Sequence, residues 1–292
     1  MGERIRFRYA QAMRVLLCLV IVAALFGLAL LGWMFAEARQ TPVVRRATVE
    51  LPGWPASAAP MTVAVIGDIH IGSIAMDAAR LTRIVAQINA LRPDVVVLAG
   101  DFIAGHDIGL STDRAPLLVA PLKRLTPRIG TVAVMGNHDH WTGIGPVRAA
   151  LAAAGVIILD NQTQRFGALT VLGLDDRYTK HDRIGAAMAA ARTLPGPRLL
   201  VSHGPDVVPD LPADVPLVVT SHTHCGQIVL PLYGPLEIPS AYGAHYLCGV
   251  VREGGRATIV GAGVGTSVLP LRLNAPPDIW LLTLWGANRA QR

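Results

Sequence analysis

Hydrophobic and polar positions divide this chain into three regimes. From Val15 to Ala36 (VLLCLVIVAALFGLALLGWMFA) no charged residue interrupts the apolar run, which exceeds the roughly 20 residues that cross a bilayer as a helix. Gln40 to Pro60 has no sustained period and carries Pro42, Pro52, Pro55 and Pro60, so it reads as a linker. From Met61 onward, short apolar runs rich in β-branched residues alternate with amphipathic stretches. Met61 to Ile66, Asp94 to Ala99, Thr131 to Met135, Leu169 to Leu174, Arg198 to Val201 and Pro216 to Thr220 are bounded by breakers and predict buried strands. Helical periods fit Asp77–Leu91, Asp113–Leu125, Pro146–Ala154 and Arg183–Arg192, and Pro93 marks a stop after the first. Strand and helix alternate, then strands dominate the last third. The pattern predicts an α/β protein, a layered αββα sandwich behind one N-terminal transmembrane helix. The expected divisions are a basic segment 1–14, a span 15–36, a linker 37–60, one domain 61–286 and a tail 287–292.

Charge refines the first regime. The chain is formally +6, but residues 1–50 hold seven arginines against three acids, leaving 19 basic and 17 acidic residues elsewhere. Basicity therefore sits beside the apolar run, where arginine favours anionic headgroups. The region beyond residue 60 carries no basic stripe interleaved with aromatics, so a dedicated nucleic-acid partner is not expected; the bilayer is. Arg4, Arg6, Arg8 and Arg14 precede the run and Arg39, Arg45 and Arg46 follow it. That bias modestly favours an N-terminus inside and a domain outside the cytoplasm. Ala36-Glu37-Ala38 resembles a small-x-small cleavage site, so export with cleavage stands as the alternative to a permanent anchor.

The chemistry lies where the predicted strands end. Gly67-Asp68-Ile69-His70, Gly100-Asp101, Gly136-Asn137-His138-Asp139, Ser202-His203-Gly204 and Ser221-His222-Thr223-His224 each follow an apolar run. Ligands of α/β sheets bind outside the carboxyl ends of strands, and Asp, Asn and His are the donors that divalent cations take when no thiolate is offered. Singly, each segment has an ordinary reading as a turn or a helix cap. Jointly those readings fail, because five of the nine histidines fall inside the segments.

The order D-x-H, GD, GNHD, a lone His and H-x-H resembles the calcineurin-like metallophosphoesterase superfamily, from about Thr62 to Leu284. The stretches SHTHCGQIVLPLYGPLEIPS and GAGVGTSVLPLRLNAPPDIWLLTL are similar to a bacterial branch of membrane-anchored or exported phosphodiesterases. Enzymes like the UDP-2,3-diacylglucosamine hydrolases of lipid A synthesis belong to that branch. The resemblance implies two divalent ions, manganese foremost and iron, zinc or cobalt as alternatives. Asp68, His70 and His224 would hold one, Asn137, His203 and His222 the other, and Asp101 would bridge them. A metal-activated hydroxide would attack phosphorus, with His138 serving the leaving oxygen and Asp139 orienting His138. His138 also admits a purely structural reading. The sequence departs from the family pattern at Ser221 and Cys225, which flank the H-x-H where glycines are usual.

The implied substrate is a phosphate ester, lipid-linked or from the cell envelope. A broad soluble phosphodiesterase or nuclease is the alternative, and a non-catalytic metal scaffold is disfavoured because every ligand is present. A lipid A precursor would be met at the cytoplasmic face, which conflicts with the charge bias. Asp175 and Arg272 are candidate substrate contacts, with a solvated turn and a surface arginine as the ordinary readings. Cys225 either reaches a soft metal or packs as a small apolar residue; a bridge to Cys248 is compatible with an extracytoplasmic domain. Pro231 to Gly243 reads either as a rim meeting acyl chains or as a plain hairpin connection. His106, His181 and His245 lie outside the metal pattern and are expected in exposed or core positions.

Overall fold

In the computed structural model, which describes residues 2–286, the elements run α1 (Gly2–Arg39), β1 (Val43–Glu50), β2 (Met61–Ile66), α2 (Ala78–Ala90), β3 (Val95–Ala99), α3 (Leu110–Arg114), α4 (Pro116–Leu122), β4 (Gly130–Val134), α5 (Asn137–Thr142), α6 (Ile144–Ala153), β5 (Ile157–Ile158), β6 (Gln162–Phe166), β7 (Leu169–Gly173), α7 (Ile184–Ala191), β8 (Arg198–Val201), β9 (Leu217–Thr220), β10 (Val229–Leu230), β11 (Gly234–Pro235), β12 (Gly249–Glu253), β13 (Arg256–Val260) and β14 (Asp278–Trp285). The expected tail 287–292 lies outside the described residues.

Two six-stranded sheets form the body. One is ordered β1-β14-β2-β3-β4-β5, the other β12-β13-β9-β8-β7-β6. Successive side chains of a strand point to opposite faces, and the sequence uses both. Val63 and Val65 of β2 point inward and pack with Val97, Val134, Val171, Val201 and Val219 from both sheets. Ala64 and Ile66 point outward onto Leu81, Ile84 and Ile88 of α2, with Leu118 of α4 and Leu151 of α6. On the far side, Ala187, Met188 and Ala191 of α7 cover Leu172, Leu200 and Val218. Strands buried on both faces read as continuous hydrophobic runs, and the layers make the expected αββα sandwich.

Local chemistry moves the helix boundaries. Asp77 caps α2 by accepting the Arg80 N–H at 2.7 Å, so it stands before the helix. The helix expected over Asp113–Leu125 is divided, because Pro116, at the first position of α4, lacks the N–H that would continue α3. α1 is longer than the apolar run. It is one helix from Gly2, and the apolar stretch within it, the single candidate membrane span among the described residues, is exposed along most of its length and becomes buried only at its last turn, at Met34.

The segment expected as a linker over 37–60 is corrected in its middle. Val43–Glu50 is an edge strand, paired in parallel with β14 from Val43↔Asp278 to Glu50↔Trp285. Val49 is buried, and Arg45 reaches the Asp278 carboxylate at 2.9 Å. Val43-Val44-Arg45-Arg46 does not alternate cleanly and prolines stand just outside it, so the usual strand signal is weak. β14 is antiparallel to β2, so β1 is too. Val43 therefore lies at the end of the sheet where β2 releases Asp68.

Candidate metal centre

The strand ends converge. Asp68, His70 and His224 form one group of potential ligand atoms, Asp101, His203 and His222 a second, and His70, Asp101 and His138 a third, with atoms in each group within 4.8 Å of one another. Asp101 stands between the first two. Its Oδ2 lies 3.2 Å from His203 Nε2 and 3.6 Å from His70 Nε2. Asn137 turns its Oδ1 to His203 Nε2 at 3.1 Å. All of these side chains are buried.

Backbone carbonyls set the ring orientations. The Nδ1 atoms of His70, His203 and His138 lie 3.3, 2.8 and 2.7 Å from the carbonyls of Ile103, Ala99 and Gly105. An Nδ1–H donating there leaves Nε2 turned to the centre. His222 is reversed and directs Nδ1 at His203 Nε2, 3.1 Å away. The backbone is bent to make these approaches. Asp68, His70, Asp101, His222 and His224 all have φ between 48° and 70°, a region that costs L-residues about 1–2 kcal/mol each and that gathers at functional sites. Gly136 leaves room for the same reason, since a Cβ there would strike the Asp101 carboxylate.

The donor set fits divalent cations. Burial, then the charge of His138, holds His70 down to about 3, and burial, then His203, does the same to His222. His224 is held well below the usual range by burial, then His70 and Arg272. These are neutral imidazoles, the form that binds metal. The Nε2 atoms of His70 and His224 face each other at 3.2 Å. Burial opposes charge on His203, yet Asp101 and Asp68 outweigh it and carry that imidazole up to about 10. Burial would raise Asp101, but His203 and His138 hold it well below the carboxylate range. The carboxylates thus draw positive charge into a cage of nitrogen and oxygen donors, the place a cation would take.

Asp139 departs from its expected part. Its carboxylate does not meet His138; it accepts the backbone N–H groups of Gly136, Asp101, Phe102 and Ile103 at 2.8–3.3 Å. As the third residue of α5 it reaches back to the cap, and it pins the Gly100-Asp101 loop as well. The Gly105 carbonyl holds His138 instead. Arg272 is likewise corrected. It is neither a surface residue nor open to substrate: it is fully buried and donates to the carbonyls of Ala262, Gly265 and Ala275 at 2.7 Å, behind His224. A guanidinium has five donors to satisfy, and this loop wraps around them. Asp175 bonds His140 Nε2 at 2.7 Å, in a group with Arg148 and with His181, whose ring stacks on His140 at 4.0 Å. It does not line the cleft.

Cys225 is joined to Cys248 by a disulfide, Cα atoms 4.8 Å apart, so it is neither a thiolate ligand nor a lone packed thiol. The bridge and the Thr223 hydroxyl bond to the Leu247 carbonyl (2.7 Å) brace the H-x-H segment from the 243–248 loop. Pro231 to Gly243 holds the turn and the second strand of the β10–β11 hairpin, and its Leu236 and Pro239 line the cleft. The cleft holds about 320 Å³, with Asp101, Asn137, His138, His222 and His224 at its floor.

His106, Trp141 and Tyr178 also line it; His106 is exposed, one of the two positions expected for it, but its place beside the centre was not anticipated, and Trp141 and Tyr178 were passed over. The His106 ring stands 4.6 Å from His138 and 5.3 Å from Trp141; Tyr178 is 5.4 Å from His222. Trp141 had a signal, three residues past His138 on one helix face. His106 follows the Gly100-Asp101 strand end closely. Tyr178 had none. His245 is exposed and pairs with Glu253 at 2.9 Å.

Residues 61–226, more than half of the chain, match the calcineurin-like phosphoesterase family, and the chain belongs to it; it is a metal-dependent phosphoester hydrolase. A Bacillus subtilis protein named as an uncharacterized metallophosphoesterase, YkuE, is 30% identical over 216 residues, 71% of this chain and 73% of its own. Phosphodiesterase YaeI of Escherichia coli is 28% identical over 234 residues, 78% of this chain and 83% of its own. A Danio rerio transmembrane protein with a metallophosphoesterase domain is 27% identical over 291 residues, 93% of this chain and 62% of its own.

Proposed function

We propose that the protein is a membrane-anchored, two-metal phosphodiesterase acting on a lipid-linked or envelope phosphodiester or pyrophosphate, the class to which UDP-2,3-diacylglucosamine belongs. The observation that carries it is the paired donor cage around Asp101 at the floor of a cleft large enough for a phosphodiester headgroup. Asp68, His70 and His224 would hold one ion, Asn137, His203 and His222 the other, with Asp101 shared. Manganese is our choice among the metals such nitrogen and oxygen donors accept. Bound there, two cations supply Lewis acidity and activated water for in-line attack at phosphorus.

The protein's own residues do the rest. His138, fixed through Nδ1 by the Gly105 carbonyl, presents Nε2 to the cleft and, as imidazolium, gives that proton to the leaving oxygen. His106 and Trp141 flank His138 and restrict water around the departing group. Asp139 positions Asp101 through the loop backbone.

α1 supports anchoring by its length and apolarity, and the similarity of the chain to a transmembrane relative agrees. A disulfide persists in oxidising compartments. Together with the arginine bias, the Cys225–Cys248 bridge supports a domain outside the cytoplasm. That favours an envelope phosphodiester over the nucleotide-linked lipid. The test is the full chain with Mn²⁺ on UDP-2,3-diacylglucosamine, a glycerophosphodiester lipid in vesicles, a soluble diester and single-stranded DNA, beside a topology reporter at Arg292. Rapid cleavage of DNA with no turnover of either lipid substrate would replace the proposal with the soluble nuclease reading.

A further inference from the structure

The end of the domain that carries the cleft is also the end where the apolar helix arrives. β1 runs against β2, so its first residue, Val43, stands beside the strand end that delivers Asp68. The junction is built in. Ala38 is wholly buried and Met34 nearly so. The Arg272 N–H donates to the Met34 carbonyl at 3.0 Å, the Ala275 N–H to Glu37 Oε1 at 3.1 Å, and the Arg80 guanidinium to the Gln40 carbonyl at 3.3 Å. Met34 belongs to the charge-free run Val15 to Ala36. The backbone at Arg272 therefore lies level with the last apolar turn of α1.

Two apolar loops project from that level. The segment ahead of Arg272 carries Val268 and Leu269, 80% and 50% exposed, and both line the cleft. Gln227, three residues past His224, fixes this segment by bonds to the carbonyls of Ser267 and Leu269. The β10–β11 hairpin adjoins it through Val229 N–H to the Leu273 carbonyl at 2.9 Å. Its turn holds Leu232 and Tyr233, 110% and 76% exposed, with Leu232 at φ 66°. An isolated exposed leucine means little, whereas an apolar patch at a functional mouth marks an interaction surface. Ile74, 71% exposed, lies beside Arg39 at the end of α1, which bonds its carbonyl.

We infer that these loops are a second membrane contact: Leu232, Tyr233, Val268 and Leu269 enter the headgroup and acyl boundary of the bilayer that α1 spans, and seat the cleft mouth on it. Side chains of this kind at that depth give an interfacial contact rather than a span. The cleft then faces phosphate esters at headgroup depth. The inference rests on reading α1 as the anchor, and it needs no particular substrate.

Depth measurement tests it. In a Cys18→Ser background, Leu232→Cys, Leu269→Cys and Thr126→Cys are labelled with an environment-sensitive fluorophore; Thr126 precedes β4, at the opposite end of the sheet. The full chain is reconstituted into phosphatidylethanolamine and phosphatidylglycerol vesicles with nitroxide-bearing lipids. Labels at 232 and 269 should shift to the blue and be quenched by shallow acyl-chain nitroxides, while the label at 126 stays unquenched. If the chain resists carbonate extraction but 232 and 269 behave like 126, the second contact is overturned and the anchor stands. If carbonate extracts the chain, the anchor reading falls, and the inference with it.

Discussion

Asp101 and Asp139 hold each other in place through backbone amides. The Asp139 carboxylate accepts the Asp101 N–H at 3.0 Å, while the Asp101 carboxylate accepts the N–H of His138, next to Asp139, at 2.9 Å. Two strand-end loops are thereby locked into one unit, and the carboxylate shared by the proposed ions is aimed by a residue that touches neither.

Asp139→Ala should therefore act on stability and metal content together. It strips the acceptor from four buried N–H groups, each of which costs about 1–3 kcal/mol when unsatisfied. We expect a loss of at least about 3 kcal/mol in denaturant unfolding, with both metals reduced by elemental analysis. Wild-type stability and metal content with a lower kcat would restore the view that Asp139 serves His138.

His138 and Asp101 should separate cleanly. Asp101→Ala removes the shared carboxylate, and the expected result is loss of bound metal with nearly all activity. His138→Ala should leave metal content unchanged and slow turnover by roughly 10²–10⁴-fold, the usual range for a lost acid. Matching metal loss in the two variants would contradict these parts.

The strand ends were readable from sequence because a short apolar run and a polar terminus are local features. Asp68, Asp101, Asn137 and His203 each announce themselves within a few residues. What the sequence concealed is non-local. Asp139 sits beside His138 in the chain, yet its carboxylate turns to a loop 38 residues away. Arg272 looks like a terminal surface arginine until the 262–275 loop closes around it. β1 is hidden because an edge strand is defined by its partner, and that partner lies 233 positions later at Arg45 and Asp278.

Thiol counting probes the disulfide. Without reductant, Cys18 alone should react among the cysteines of the native, detergent-solubilised chain. Cys225→Ser/Cys248→Ser should destabilise the domain by about 2–4 kcal/mol, as for a bridge closing a short loop. It should also weaken metal retention against a chelator, because the bridge braces the segment between His224 and Gln227. Two further reactive thiols in the native protein would contradict the pairing.

The His140–Asp175 pair gives a pH signature. Burial disfavours charge on His140, but Asp175 outweighs it and the imidazole titrates above 6.5. Burial likewise opposes Asp175, but the His140 and Asp176 bonds prevail and it titrates below 3.8. The histidine contribution is complete below its unfolded value and fades as pH rises through the raised one. The aspartate contribution is complete above its unfolded value and fades as pH falls through the lowered one. The pair should thus stabilise most between roughly pH 4 and 6.5. The Tm gap between wild type and His140→Gln should be widest there, at about 2–4 °C per kcal/mol, and narrow towards pH 9. A gap independent of pH would show that packing, not charge, is lost.

The pairing of β1 with β14 bears on how the catalytic body could be released from the proposed anchor. Shedding by a protease acting at the exposed residues between Ala56 and Pro60 would free the catalytic body without its outermost strand. The hydrogen-bonding rim of Ile279-Trp280-Leu281-Leu282 would then be open to any other chain, an invitation to aggregate. A cut just ahead of Val43 would keep the rim covered. A secreted form that remains soluble should therefore begin near Thr41, and release and solubility are decided within a few residues of each other.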